Sequence, residues 1–185
     1  MRRRLLLLVT VGVLLVVGAG VAVATNRPDL RAAGPTSVAG TPATATFTIG
    51  DRTIRQIRYV DDGTLVYGFS IANDGRLPVT VTGLAPLPHE ARLFHYRSLT
   101  GPDGKRTFTI GAGDTVPVHL AIAMHGCETL SARAGSFATE VVLRTTSSRG
   151  LVEHEVTVPF TEEVHTGSPR EVGCARATAS SRPPG

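Results

Sequence analysis

Apolar residues alternate with polar ones from Leu65 to Val81, and that alternation limits the fold more than any other feature of the chain. Leu65, Tyr67, Phe69 and Ile71 share one parity, the run breaks at Asn73-Asp74-Gly75, and Val79 and Val81 resume it. Successive side chains of an extended strand point to opposite faces, so the pattern reads as strand, corner, strand. Each residue of the break has a backbone reason to be there. Gly75 accepts positive φ, Asn73 and Asp74 tolerate it, and Pro78 starts the next strand where no ladder donor is needed. A calcium loop needs carboxylates at alternating positions over a longer span. Here one Asn and one Asp stand side by side, so the break is read as a turn.

The same period of two continues on both sides. Ala45, Phe47 and Ile49 alternate with threonines, and Ile54, Ile57 and Tyr59 mark a strand with a slip in phase that fits a bulge. "ARLFHYRS" (91–98) and "RTFTI" (106–110) are two more candidates. Val116, Val118, Leu120 and Ile122 form a clear strand, as do Phe137, Thr139, Val141 and Leu143. Val152, Val156, Val158 and Phe160 form the last, with His154 in phase. Turn residues separate them: Asp61-Asp62-Gly63, Pro102-Asp103-Gly104, Gly111 to Asp114 and Ser147 to Gly150. No window beyond the N-terminus has an amphipathic helical period. About seven to nine short strands with regular punctuation predict an all-β fold, an antiparallel sandwich.

The N-terminus is a different solvent problem. Arg2, Arg3 and Arg4 precede an uncharged apolar run from Leu5 to Ala24. As a helix that run rises about 30 Å, the thickness of a bilayer core. Arginines on the short side favour a cytoplasmic end at residues 1–4, a signal anchor at 5–24 and an extracytoplasmic remainder. A cleaved signal peptide ending at Ala22-Val23-Ala24, and hence a secreted protein, is the alternative; the run exceeds the usual h-region. Residues 25–42, rich in Pro, Gly, Ala, Ser and Thr, read as a flexible linker. The sandwich is expected over 43–174 and a disordered Pro-rich tail over 175–185.

Charge argues against nucleic acid. The N-terminal arginines carry three of the four net positive charges, leaving 16 of the 19 Lys and Arg residues against 15 Asp and Glu. No basic stripe remains to track a phosphate backbone. Cys127 and Cys174 are the two cysteines, both in the exported part, and an even count in an oxidising place reads as one disulfide. Closing a loop of about 50 residues is worth roughly 4 kcal/mol in the chain-entropy model.

The segment "FSIANDGRLPVTVTG" (69–83) resembles the strand–Asn-x-Gly–strand unit of bacterial immunoglobulin-like and fibronectin-III-like extracytoplasmic domains. "GAGDTVPVHLAIA" (111–123) resembles the turn and strand that often follow. The layout of basic end, membrane helix, linker, sandwich and two late cysteines resembles small single-pass bacterial envelope proteins. The resemblance implies an Ig-like sandwich outside the cell membrane. It carries no catalytic residues, and fold alone does not give function.

"HEARLFH" spaces His89 and His95 six apart; on a helix they point about 240° apart, and on a strand they stand about 20 Å apart. The zinc-protease signature needs four. Met124, His125 and Cys127 lie together and are soft copper ligands when reduced; a disulfide cysteine beside a loop histidine is the plainer reading. His154 is read at the sheet rim. Asp61-Asp62 and Glu162-Glu163 are read as solvated pairs at turns or strand ends. No nucleophile elbow or phosphate loop occurs, so the expectation is a non-enzyme without cofactor. "ARLFHYRSL" is the most unusual strand, with Arg92, Phe94 and Tyr96 on one face and Leu93, His95 and Arg97 on the other. Apolar residues ringed by arginine nominate Arg92, Phe94, Tyr96 and Arg97 as a contact surface. The functional expectation is a membrane-anchored binding or scaffolding module of the cell envelope, its partners another envelope protein or the cell wall. Copper handling is the alternative.

Overall fold

A computed structural model describes residues 27–87, 93–126, 136–147 and 152–166. The proposed cytoplasmic end and membrane span, His89, Arg92, Cys127, Cys174 and the tail 175–185 lie outside the described residues. Among the described residues no helix is long and apolar enough to cross a membrane.

The described chain is all-β. Its strands are β1 (Leu30–Ala39), β2 (Thr44–Ile49), β3 (Arg52–Ile57), β4 (Gly63–Asn73), β5 (Val79–Leu84), β6 (Phe94–Thr100), β7 (Phe108–Ile110), β8 (Thr115–Met124), β9 (Phe137–Ser147) and β10 (Val152–Thr166). They build a four-stranded sheet, β1-β4-β8-β6, and a six-stranded sheet, β2-β3-β10-β9-β5-β7. The two sheets pack as a β-sandwich around one apolar core. The alternating run from Leu65 to Val81 is its centre: Leu65, Tyr67 and Ile71 are fully buried, in one core with Val79, Val81, Val141 and Leu143 of the other sheet. β8 adds Val118, Leu120, Ile122 and Met124, all fully buried.

Four expectations are corrected. The linker read over 25–42 contains β1, which pairs along β4 from Leu30↔Asn73 to Ala39↔Val66 and buries Leu30 and Ala32. Small residues masked it, and so did a bulge between Ala33 and Ser37, where Gly34 takes a left-handed φ of 73°. The sandwich is also not wholly antiparallel, because β10 runs parallel to β3. Parallel neighbours need a long crossover, and everything from β4 to β9 supplies it.

β9 and β10 hold the other two corrections. Phe137 shares the sequence phase of Val141, which predicts it inside, yet it is 44% exposed while Ala138 is buried. The β9–β10 register shifts between Pro159 and Val164, and the inward parity changes with it. β10 also runs on past the expected strand end, so Glu162 lies within the strand at 6% exposure.

Candidate functional site

The Asn73-Asp74-Gly75 break turns the chain from one sheet to the other, as β4 and β5 belong to different sheets. Gly75 does not take positive φ. The Asn73 side chain makes the bend instead: its Oδ1 accepts from the Gly75 N–H at 3.0 Å, an Asx turn. Its amide donates to the carbonyls of Leu77, Ile110 and Gly111. Its backbone N–H donates to the Asp114 carbonyl, and its carbonyl accepts from Gly113. Asn73 is fully buried and every polar atom is spent within the fold. The break is a structural corner.

A second polar group is buried near the meeting of β1, β3, β4 and β10. Arg55 donates to Glu162 at 2.6 Å and to the Thr36 hydroxyl at 2.9 Å. The pair is shielded, with side chains 16% and 5% exposed. Tyr67 packs against Phe69 and Phe160, and its hydroxyl has no hydrogen-bond partner among the described residues. Burial first, and the Glu162 carboxylate second, push the Tyr67 phenol well above its usual range. That carboxylate acts on the phenol as a nearby charge. Tyr67 is fully buried and Glu162 nearly so.

Of the sequence-nominated metal donors, Met124 and His125 are described and face different ways, while Cys127 lies outside the described residues. Met124 points into the core, fully buried, while His125 is half-buried beyond the strand end; neighbouring residues of a strand face opposite ways. His125 stacks instead on His95 of β6, with ring centroids 3.8 Å apart and planes within 5°. Among the described residues no group of three or more His, Cys, Asp or Glu is placed to hold a metal. A blue-copper donor set is therefore not assembled by Met124 and His125. His154 is half-buried, its Nε2 3.4 Å from the Ser147 hydroxyl, and it lines a shallow groove of about 470 Å³ with Arg27, Glu153 and Glu155.

The contact surface nominated on β6 is corrected as well. Phe94 is 1% exposed, and Tyr96 reaches across the sandwich to donate to the Glu140 carbonyl at 2.9 Å. Burial and the nearby Glu140 push the Tyr96 phenol upward too. Only Arg97 of the described members is exposed, at the register break between Tyr96 and Ser98.

Exposed apolar surface lies elsewhere, on the six-stranded sheet. Phe47 is 40% exposed, Ile49 60% and Phe137 44%. Paired residues of neighbouring strands share a face, and the registers Phe47↔Ile54, Ala45↔Gln56, Gln56↔His165 and His165↔Phe137 put all three on the outer face. His165 stacks on Phe137 there at 4.2 Å. Beside it the sheet ends in β2, all of whose residues are exposed. The Arg58 N–H donates to the Ala43 carbonyl, so odd-numbered backbone groups of β2 bond to β3. Those of Thr44, Thr46 and Thr48 consequently face outward along the free edge.

The four sheet edges are not alike. β1 is interrupted by its bulge with Gly34 and Pro35, β6 by its break at Arg97, and β7 has three residues. Such features discourage strand addition. β2 has none of them: six unbroken pairs with β3, and neither charge nor proline from Ala43 to Gly50. The sequence held this signal, a neutral T-A-T-F-T-I run, but nothing in it distinguishes an edge strand from an inner one.

No family model and no curated protein matches the chain. Among solved structures, the cupredoxin domain of amoB from Nitrosocaldus yellowstonii is similar to it over 65% of each chain, with a TM-score of 0.27 and 11% identity. The match spans less than two thirds of that chain's own length.

Proposed function

We propose that this chain is an extracytoplasmic binding module of the bacterial cell envelope, an Ig-like sandwich carried on a membrane anchor at residues 5–24 that captures an extended segment of a protein partner on β2. One observation carries the reading: β2 is an unbroken, neutral, fully exposed edge with apolar Phe47 and Ile49 on its flank. Outward N–H and C=O groups supply affinity by strand addition, and side-chain contacts on alternate positions supply selectivity. Only Thr25 to Asp29 separate the proposed anchor from β1, a reach of at most about 17 Å. The module therefore works close to the bilayer, on partners at the membrane surface.

The test is a photo-crosslinking residue at Phe47 in the full chain in cells, compared with the same residue at exposed Thr64. Adducts specific to position 47, and lost when Thr46→Pro removes one outward donor, support the reading. Equal labelling at both positions, or labelling indifferent to Thr46→Pro, overturns it.

Copper handling is the second reading. Its support is that β6 and the end of β8 bring His95 and His125 together; the stacked rings would have to turn for both in-plane nitrogens to meet one ion.

A further inference from the structure

The occupant of the β2 edge has a chemistry that the edge itself specifies. We infer that it is β2 of a second copy of this chain, paired antiparallel about a two-fold axis through Thr46. This rests on the strand-addition reading above and names its partner.

Register follows from which groups face outward. The free N–H and C=O groups belong to Thr44, Thr46 and Thr48. An antiparallel partner must present its own outward groups opposite these, and the register that pairs all three sets Thr46 against Thr46 of the other copy, Thr44 against Thr48, and Thr48 against Thr44. One face of the joined ribbon then carries only threonines, and cross-strand Thr–Thr pairs are favourable. The other face sets Phe47 opposite Ala45 and Ile49 opposite Ala43, a large side chain over a small one each time. Phe47 and Ile49 thereby gain cover that the single copy does not give them. The odd and even faces are both self-complementary in one register.

Electrostatics and closure agree. No residue from Ala43 to Gly50 is charged, so the two-fold axis brings no like charges together. The interface is isologous: each copy uses the same strand and the contact closes at two. The bulged, broken or very short edges β1, β6 and β7 do not extend it. A single strand pair with two apolar side chains is small beside a standard interface, so the dimer is a weak, reversible one.

Cysteine scanning of the full chain in its membrane tests the register. The Cα atoms of a hydrogen-bonded antiparallel pair lie about 5.5 Å apart, within disulfide range. Thr46→Cys should give an oxidised dimer above the wild-type background. Thr44→Cys alone should not, whereas Thr44→Cys co-expressed with Thr48→Cys should give the mixed dimer. Adding Thr48→Pro to Thr46→Cys should cut the dimer yield roughly tenfold, through one lost donor per copy. Thr48→Lys in place of that proline tests the same edge without a backbone change and should also lower the yield. No dimer from Thr46→Cys overturns the inference, and so does equal crosslinking from Thr44→Cys alone or from exposed Thr64→Cys. If Phe47 adducts in cells depend on Thr46 but contain a different protein, the strand-addition reading stands and the second-copy inference falls.

Discussion

The side-chain amide of Asn73 donates to the backbone carbonyl of Leu77 across 2.9 Å. That bond spans the corner between the two sheets, and the same amide ties the corner to the end of β7 and the residue after it, through Ile110 and Gly111. Asn73→Ala leaves these carbonyls and the Gly75 N–H without their partner, in surroundings that are buried at Ile110 and partly buried at the others. The expected cost is about 3 kcal/mol, since a buried orphan loses its full solvation. Urea unfolding should show a lower midpoint with an unchanged slope. Asn73→Asp should be comparably destabilised, because a carboxylate cannot donate to three carbonyls. A loss below about 0.5 kcal/mol would mean that the backbone alone holds the corner.

Arg55 and Glu162 should behave as one unit. Removing either leaves a charge behind with little solvent, at about 3–5 kcal/mol. Arg55→Met combined with Glu162→Leu should cost less than either single truncation to Ala, because no charge is stranded. Tyr67→Phe provides the contrast within the same cluster. Its buried hydroxyl has no hydrogen-bond partner among the described residues, so the change should be neutral or stabilising by about 1 kcal/mol. A Tyr67→Phe protein that unfolds earlier would show that the hydroxyl is satisfied.

The fold class was legible because burial on one face writes a period of two into the sequence, and Leu65 to Val81 and Val116 to Ile122 obey it. β1 was not legible: a bulged edge strand of small residues, buried on few positions, has the composition of a linker. Glu162 was misread because ionised residues seldom enter a core. Its phase with Val158, Phe160 and Val164 was the available signal, and Arg55 makes that burial tolerable. The strand of Phe94 and Tyr96 was read correctly as apolar and incorrectly as exposed, since period alone does not say which face looks inward. The β2 site depends on a strand being last in its sheet, which is a tertiary fact.

Copper offers a direct test of the stacked imidazoles. Under the second reading, Cu(II) added to the full chain should bind at one equivalent through His95 and His125, two of the nitrogen donors that suit this ion. His95→Ala and His125→Ala should each weaken binding by at least about tenfold, whereas His154→Ala should not. Met124→Leu should leave affinity unchanged, because Met124 faces the core. Binding that is lost with Met124→Leu and kept with His95→Ala would remove the histidine pair from the reading.

Stability should fall on acidification in two separable arms. Burial depresses His165 below its ordinary 6.5, partly offset by Glu163. The folded state resists that proton, so stability is intact above about 6.5 and declines as pH falls from there toward the depressed folded value. Glu163 is held below its ordinary 4.5, chiefly by its hydrogen bond from Arg52. Its contribution is present above 4.5 and disappears as pH drops through the lower folded value. Both groups bind more protons unfolded than folded, so the arms have the same sign. His165→Phe keeps an aromatic ring on Phe137 while removing the titration; it should flatten the upper arm and, because His165 also helps lower Glu163, trim the lower arm slightly. Arg52→Ala should flatten only the lower one, and added salt should shrink that arm because the Arg52–Glu163 pair is partly exposed. Thermal midpoints recorded from pH 8 to pH 3 read both arms, and stability that rises between pH 6.5 and pH 5 would contradict the burial of His165.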